Sequence, residues 1–90
     1  MGRHALYVVT NRESGKKYVG QTVRPEKRWA EHCRRNECVA LARAMKKHGN
    51  TAFDFKVLAV GMGRNEVDEV EKAMIRLLGT IAPSGYNLTE

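Results

Sequence analysis

Two β-rich runs joined by a turn constrain this chain more than anything else in it. Ala5 to Thr10 (ALYVVT) and Lys17 to Gln21 (KYVGQ) flank Asn11-Arg12-Glu13-Ser14-Gly15. Asn, Ser and Gly are turn formers, and the closing glycine suits positive φ, so the spacing predicts an antiparallel hairpin. Register then decides which side chains meet. Directly opposed residues share a face, so a four-residue loop over Arg12 to Gly15 sets Val9 opposite Tyr18 and Tyr7 opposite Gly20. The two phenols become diagonal neighbours within reach of one another. An odd loop without a bulge would put them on opposite faces.

The remaining elements follow from the usual start and stop signals. Pro25 opens a helix that runs to about Asn36, with Trp29 and Cys33 on its apolar edge. Arg28 and His32, four apart, stack on an adjoining face. A second helix, about Val39 to Lys47, buries Leu41, Ala42 and Met45 and stops at Gly49-Asn50. Phe53 to Val60 (FDFKVLAV) alternates and then turns wholly apolar, which predicts a third, more central strand. Gly61-Met62-Gly63-Arg64 reads as a loop, without the third glycine or the Gly-Lys-Ser/Thr of a phosphate-binding motif. Asn65, with Asp68 three residues on, is expected to cap a third helix that ends at Gly79. Pro83-Ser84-Gly85 turns the chain into Tyr86-Asn87-Leu88. The order is ββααβα in one domain over residues 1–90, with no repeat or linker.

Glu71 stands out on the third helix. With ~100° per residue and Val67 at zero, Glu71 falls near 40°, between Leu78 near 20° and Ile75 near 80°. It therefore lies in the apolar stripe with Val70 and Met74, whereas Asp68, Glu69, Lys72 and Arg76 spread over the other side. A carboxylate there is costly unless something pairs with it or coordinates to it. Two partners are open: a structural ion pair with Lys16, Lys17 or Arg28, or a bound metal ion.

Charge points to the partner. The chain carries a formal net charge of +6, which favours a polyanion, nucleic acid first. Cys33 and Cys38, separated by four residues, lack the paired spacing of a zinc site even with His32 and His48 nearby, and read as small core residues. Two cysteines and no apolar leader fit a reducing, intracellular setting. No run approaches the ~20 apolar residues that span a bilayer.

Taken in order, these pieces resemble the GIY-YIG nuclease family, and within it the catalytic modules of phage-type homing endonucleases. Ala5-Leu6-Tyr7 and Tyr18-Val19-Gly20 stand for its two signatures. Lys27-Arg28-Trp29 with His32 resembles its first-helix arginine motif, and Lys47-His48-Gly49-Asn50 the end of its second helix. Glu71 matches its metal-binding glutamate, and Gly85-Tyr86-Asn87 its closing asparagine motif. The match runs from about residue 5 to 88. Ala5 departs from the first glycine, and Cys38-Val39 stand where some homing-type relatives have a histidine, which leaves His32 as the nearby histidine.

The resemblance implies an α/β (α+β) domain, a three-stranded antiparallel sheet flanked by three helices, with the site on one sheet face. It implies hydrolysis of phosphodiester bonds in double-stranded DNA with one divalent metal, Mg²⁺ or Mn²⁺, held by Glu71. Tyr7 would be the general base, helped by Tyr18 or His32. Its ordinary pKa of about 10 would have to be lowered by nearby cations. Arg28 would fork onto phosphate oxygens as charge develops. Asn87 would either orient the chain terminus against the site or donate to a phosphate. An intracellular location in a phage or prokaryotic host is expected, with target choice left to a further domain or a partner.

Taken singly, the same residues have plainer explanations. Tyr7 and Tyr18 suit sheet packing. Arg28 and His32 suit a solvated helix, and Trp29, Phe53 and Phe55 a core. Arg34-Arg35 and Lys46-Lys47 suit a wet or phosphate-contacting face. A non-catalytic nucleic-acid-binding module, a structural interaction domain and a repair-type structure-specific nuclease are the competing functions.

Overall fold

A computed structural model describes residues 3–34 and 39–88 of the chain. Strands β1 (His4–Asn11) and β2 (Lys17–Thr22) lead into helices α1 (Pro25–Arg34) and α2 (Val39–His48). A 3-10 turn (Asn50–Ala52), strand β3 (Phe53–Met62) and helix α3 (Arg64–Leu78) follow. The order ββααβα is the one expected. The end of α1 expected at Asn36 and the side chain of Cys38 lie outside the described residues.

The hairpin has the register its turn demands. Val9 pairs with Tyr18, and Tyr7 pairs with Gly20. Around the four-residue loop, the Asn11 N–H donates to the Lys16 carbonyl at 2.9 Å, and Gly15, at φ +79°, donates to the Asn11 carbonyl at 2.8 Å. The buried Asn11 side chain accepts from the Glu13 N–H at 2.9 Å, the short-range bond that makes asparagine a turn former.

β1 is the central strand, because the sheet order is β2-β1-β3 and both pairings are antiparallel. Ala5 to Val9 are all buried, and a strand covered on both faces reads as a continuous apolar run. The expectation that β3 would be more central is therefore corrected: β3 is an edge. Its register against β1 shifts twice near Leu6, so its apolar residues do not all reach a core. Val57, Leu58 and Val60 remain 36%, 39% and 70% exposed. Gly61 and Met62, expected in a loop, complete this strand, and Met62 is buried.

Alternation along β1 sends side chains to two cores. Leu6 and Val8, with Val19 of β2, pack against Val67, Val70, Met74 and Ile75 of α3. Tyr7 and Val9 face the other way, onto Leu41 and Met45 of α2, Trp29 and Cys33 of α1, and Tyr86. α3 thus covers one face, and α1 and α2 the other.

The start of α3 also differs from expectation. Gly63, not Asn65, is the N-cap, and the Glu66 carboxylate accepts from its N–H at 3.3 Å. The acid three residues past the cap is thus Glu66 rather than Asp68. Leu78, placed in the apolar stripe by its angle, is 38% exposed at the last turn, where Gly79 adopts φ +63° and ends the helix.

Candidate active site

The hairpin register and the i, i+4 spacing on α1 converge on one atom. The Tyr7 hydroxyl lies 2.9 Å from Nε2 of His32, and Arg28 Nε donates to the same oxygen at 3.4 Å. Because a guanidinium only donates, the phenol oxygen is the acceptor in that contact. Its own proton is then placed to point at His32, provided that Nε2 is the unprotonated ring nitrogen. Tyr18 closes the group, with ring centroids 6.2 Å from Tyr7 and 5.8 Å from His32. Tyr7 and His32 are 1% and 3% exposed, whereas Tyr18 and Arg28 are half-buried and form the outer part of the cluster.

Gly20 makes room for this arrangement. A Cβ at that position would collide with Cζ and the hydroxyl of Tyr7, so the phenol lies over bare backbone. On its far side the Tyr7 ring meets Phe55 at 5.0 Å, and Phe55 in turn stacks on Trp29 at 5.2 Å. Trp29 and Phe55, assigned to the core from the sequence, are only half-buried. Phe53 is buried, as expected.

Asn87 holds the strand that carries Tyr18 and Gly20. Its side-chain oxygen accepts from the Val19 N–H at 2.8 Å, and its amide donates to the Val19 carbonyl at 2.9 Å. Val19 sits on an edge strand, so these two backbone groups point away from β1 and would otherwise be unpaired. The Tyr86 N–H donates to the Lys17 carbonyl at 2.9 Å beside them. Of the two roles expected for Asn87, the geometry supports orienting the chain terminus.

Glu71 belongs to a second group, carried by α3. It projects from α3, which packs on the Leu6 and Val8 face, while Tyr7, Tyr18, Arg28 and His32 occupy the opposite face. The side chain is half-buried. Desolvation raises its carboxyl above the ordinary glutamate range, a hydrogen bond with Gln21 of β2 lowers it in part, and the charge of Asp68 raises it further. Asp68 is half-buried beside it rather than on the opposite side of α3, and its Oδ1 accepts from Gln21 Nε2 at 2.7 Å. One turn apart, Asp68 and Glu71 both reach the β2 edge, a proximity that a wheel drawn on apolar residues does not register.

Of the cations proposed from the sequence as partners for Glu71, two make other contacts. Lys17 donates to Thr10 Oγ1 at 3.0 Å, Lys16 is exposed, and Arg28 engages Tyr7. Ion pairs elsewhere join Arg12 to Asp54 and His48 to Glu13. Asp68 and Glu71 bring two carboxylates, hard oxygen donors of the kind a divalent cation such as Mg²⁺ takes, while the Gln21 amide donates to them. No group of three or more His, Cys, Asp or Glu converges among the described residues, and Mg²⁺ tolerates such sparse protein ligation because it keeps several waters.

Burial raises the half-buried Cys33 thiol of α1 above its ordinary range. No described helix is long and apolar enough to cross a membrane.

Two tyrosines, an arginine and a histidine thus meet over a bare glycine in a small mixed domain. Residues 3–87 match the GIY-YIG catalytic domain, and the chain belongs to that family. Among solved structures it is similar to the catalytic domain of the homing endonuclease I-TevI. The TM-score is 0.85 and the identity 27%, over 97% of this chain and 99% of that one. A point variant of the catalytic domain of the intron endonuclease I-TevI aligns with a TM-score of 0.86 and 27% identity, over 99% of this chain and 95% of that one. Comparison with curated protein sequences gives no significant match.

Proposed function

We propose that this domain is a DNA endonuclease that hydrolyses phosphodiester bonds with one divalent metal. Its family and its likeness to a homing endonuclease catalytic domain support the endonuclease class. The observation that carries the mechanism is the Tyr7 hydroxyl held between His32 and Arg28.

Hydrolysis needs an activated water and charge stabilisation on the phosphoryl oxygens. Tyr7 takes a proton from the attacking water while its own proton passes to His32 Nε2. The water oxygen forms the new bond to phosphorus as the bond to the 3′ oxygen breaks, and that oxygen leaves with a proton from solvent. Arg28 has two tasks. At rest its guanidinium favours negative charge on the phenol oxygen, and the 3.4 Å contact is long enough for a phosphate oxygen to compete for it. Its move onto the substrate would uncover the buried phenol at the moment the base is needed.

Glu71, with Asp68 beside it, would hold Mg²⁺ or Mn²⁺, which supplies Lewis-acid stabilisation of the phosphoryl and departing oxygens. The two halves of the site lie on opposite faces of β2, an edge strand. The chain terminus covers that edge at Lys17 and Val19, and Gly20 to Thr22 lie beyond it. A phosphate drawn across the edge there would meet Tyr18 and Arg28 from one side and Glu71 from the other. Asn87 acts by fixing β2 in place. Double-stranded DNA is the substrate class, and a further domain or a partner protein would choose the target.

Tyr7→Phe tests the mechanism. It removes the ionisable oxygen and little else, so cleavage should fall by about 100-fold or more with DNA affinity unchanged. Near-normal cleavage by the folded variant would remove Tyr7 as the base.

A further inference from the structure

A groove of about 890 Å³ runs between the start of α1 and β3, walled by Trp29, Phe55, Val57 and Val60, with the exposed Arg24 and Lys27 at its mouth. Glu26 also lines it, so the mouth keeps a net positive charge. The groove adjoins the catalytic cluster, since the Phe55 ring that forms its wall also packs on Tyr7 at 5.0 Å. Two aromatic rings, stacked at 5.2 Å and 29°, are an unusual surface for a solvent-facing groove. Val60, 70% exposed beside them, covers no core.

We propose that this groove is a nucleobase-stacking subsite that takes one unpaired nucleotide flanking the scissile phosphate. The inference rests on the nuclease reading and specifies the substrate within it. Apolar and aromatic walls suit the π-face of a base, and cations at the mouth suit its phosphates; together they are the usual platform for unstacked nucleic acid. A base in a regular duplex cannot reach such a wall without leaving its stack, at a cost of a few kcal/mol. The domain therefore favours DNA in which a nucleotide beside the cut is already unpaired or easily extruded.

Trp29 is the only tryptophan of the chain, so its fluorescence reports on the groove directly. The experiment titrates the protein, in EDTA to prevent cutting, with a short duplex carrying one bulged nucleotide and with the same duplex fully paired. Quenching of Trp29 by the bulged DNA and a preference for it of about tenfold or more are expected, from stacking of 1–3 kcal/mol per base. Trp29→Leu, which keeps an apolar side chain, and Val60→Glu, on an exposed position, should both bring the preference near unity. The ratio cancels any general loss of affinity from the added charge, and circular dichroism checks the fold of each. Equal binding of both duplexes, or a preference that survives Val60→Glu, overturns the subsite and leaves the nuclease reading intact. Concentration-dependent self-association abolished by Val60→Glu would assign the groove to a second copy and also overturn it. Absence of any DNA binding, together with absence of cleavage when metal is restored, removes both readings.

Discussion

Gly20 and Tyr7 face each other across the β1–β2 hairpin, and the phenol ring occupies the space that any side chain at Gly20 would need. Position 20 is therefore fixed by a contact rather than by backbone conformation, since Gly20 is not among the positive-φ glycines. Gly20→Ala should destabilise the domain by about 1–3 kcal/mol, the range for overpacking a filled core. In a Tyr7→Ala background the same substitution should cost nothing or stabilise slightly, because alanine suits a strand better than glycine. Denaturant melts of the four proteins of this cycle measure the coupling. An equal cost in both backgrounds would mean that Gly20 is needed for some other reason.

Asn87 satisfies both outward backbone groups of Val19. Asn87→Ala leaves a buried donor and a buried acceptor without partners, at about 1–3 kcal/mol each. For a domain of this size the melting temperature should fall by about 10 °C or more. Asn87→Asp should also destabilise, since a carboxylate can accept from the Val19 N–H but repels the carbonyl. A variant that loses cleavage with an unchanged melt would instead place Asn87 in contact with substrate.

Much of this was legible in the sequence because local chemistry and tertiary contact agree there. The Asn11-to-Gly15 turn set the hairpin register, and the spacing of Arg28 and His32 set two side chains over one face. Edges and opposite faces were not legible. The Val57 to Val60 run looks central because apolar content records burial in general, not whether a bulge at Leu6 turns residues outward. Glu71 looked like part of one cluster because sequence order says nothing about which face of the sheet α3 covers. Gln21 is unremarkable alone and Asp68 reads as a capping acid on the far side of α3; only the packing of α3 on β2 joins them to Glu71. The groove beside Tyr7 escaped notice, since Trp29 and Phe55 read as core residues by type.

The raised carboxyl of Glu71 makes stability depend on pH with a definite sign. Its folded value lies above the ordinary 4.5, so the folded state holds a proton that the unfolded chain has released across that window. The metal-free domain should therefore gain stability from this group as pH falls from the raised native value towards 4.5, and lose that gain as pH rises again. Glu71→Gln should flatten this part of the profile. Mg²⁺ or Mn²⁺ should raise the melting temperature near neutral pH for the native chain and not for Glu71→Gln, by ordinary ligand linkage. A native profile that coincides with that of the variant, with no response to metal, would make Glu71 a structural residue.

The most direct measurement is cleavage of a supercoiled plasmid in Mg²⁺ or Mn²⁺, with an EDTA control, by the native chain and by folded Glu71→Gln. Nicking or linearisation that requires the metal and vanishes in the variant is the predicted result. Metal-independent cutting, equal cutting by both proteins, or binding without any cutting by either would contradict a metal-dependent nuclease centred on Glu71.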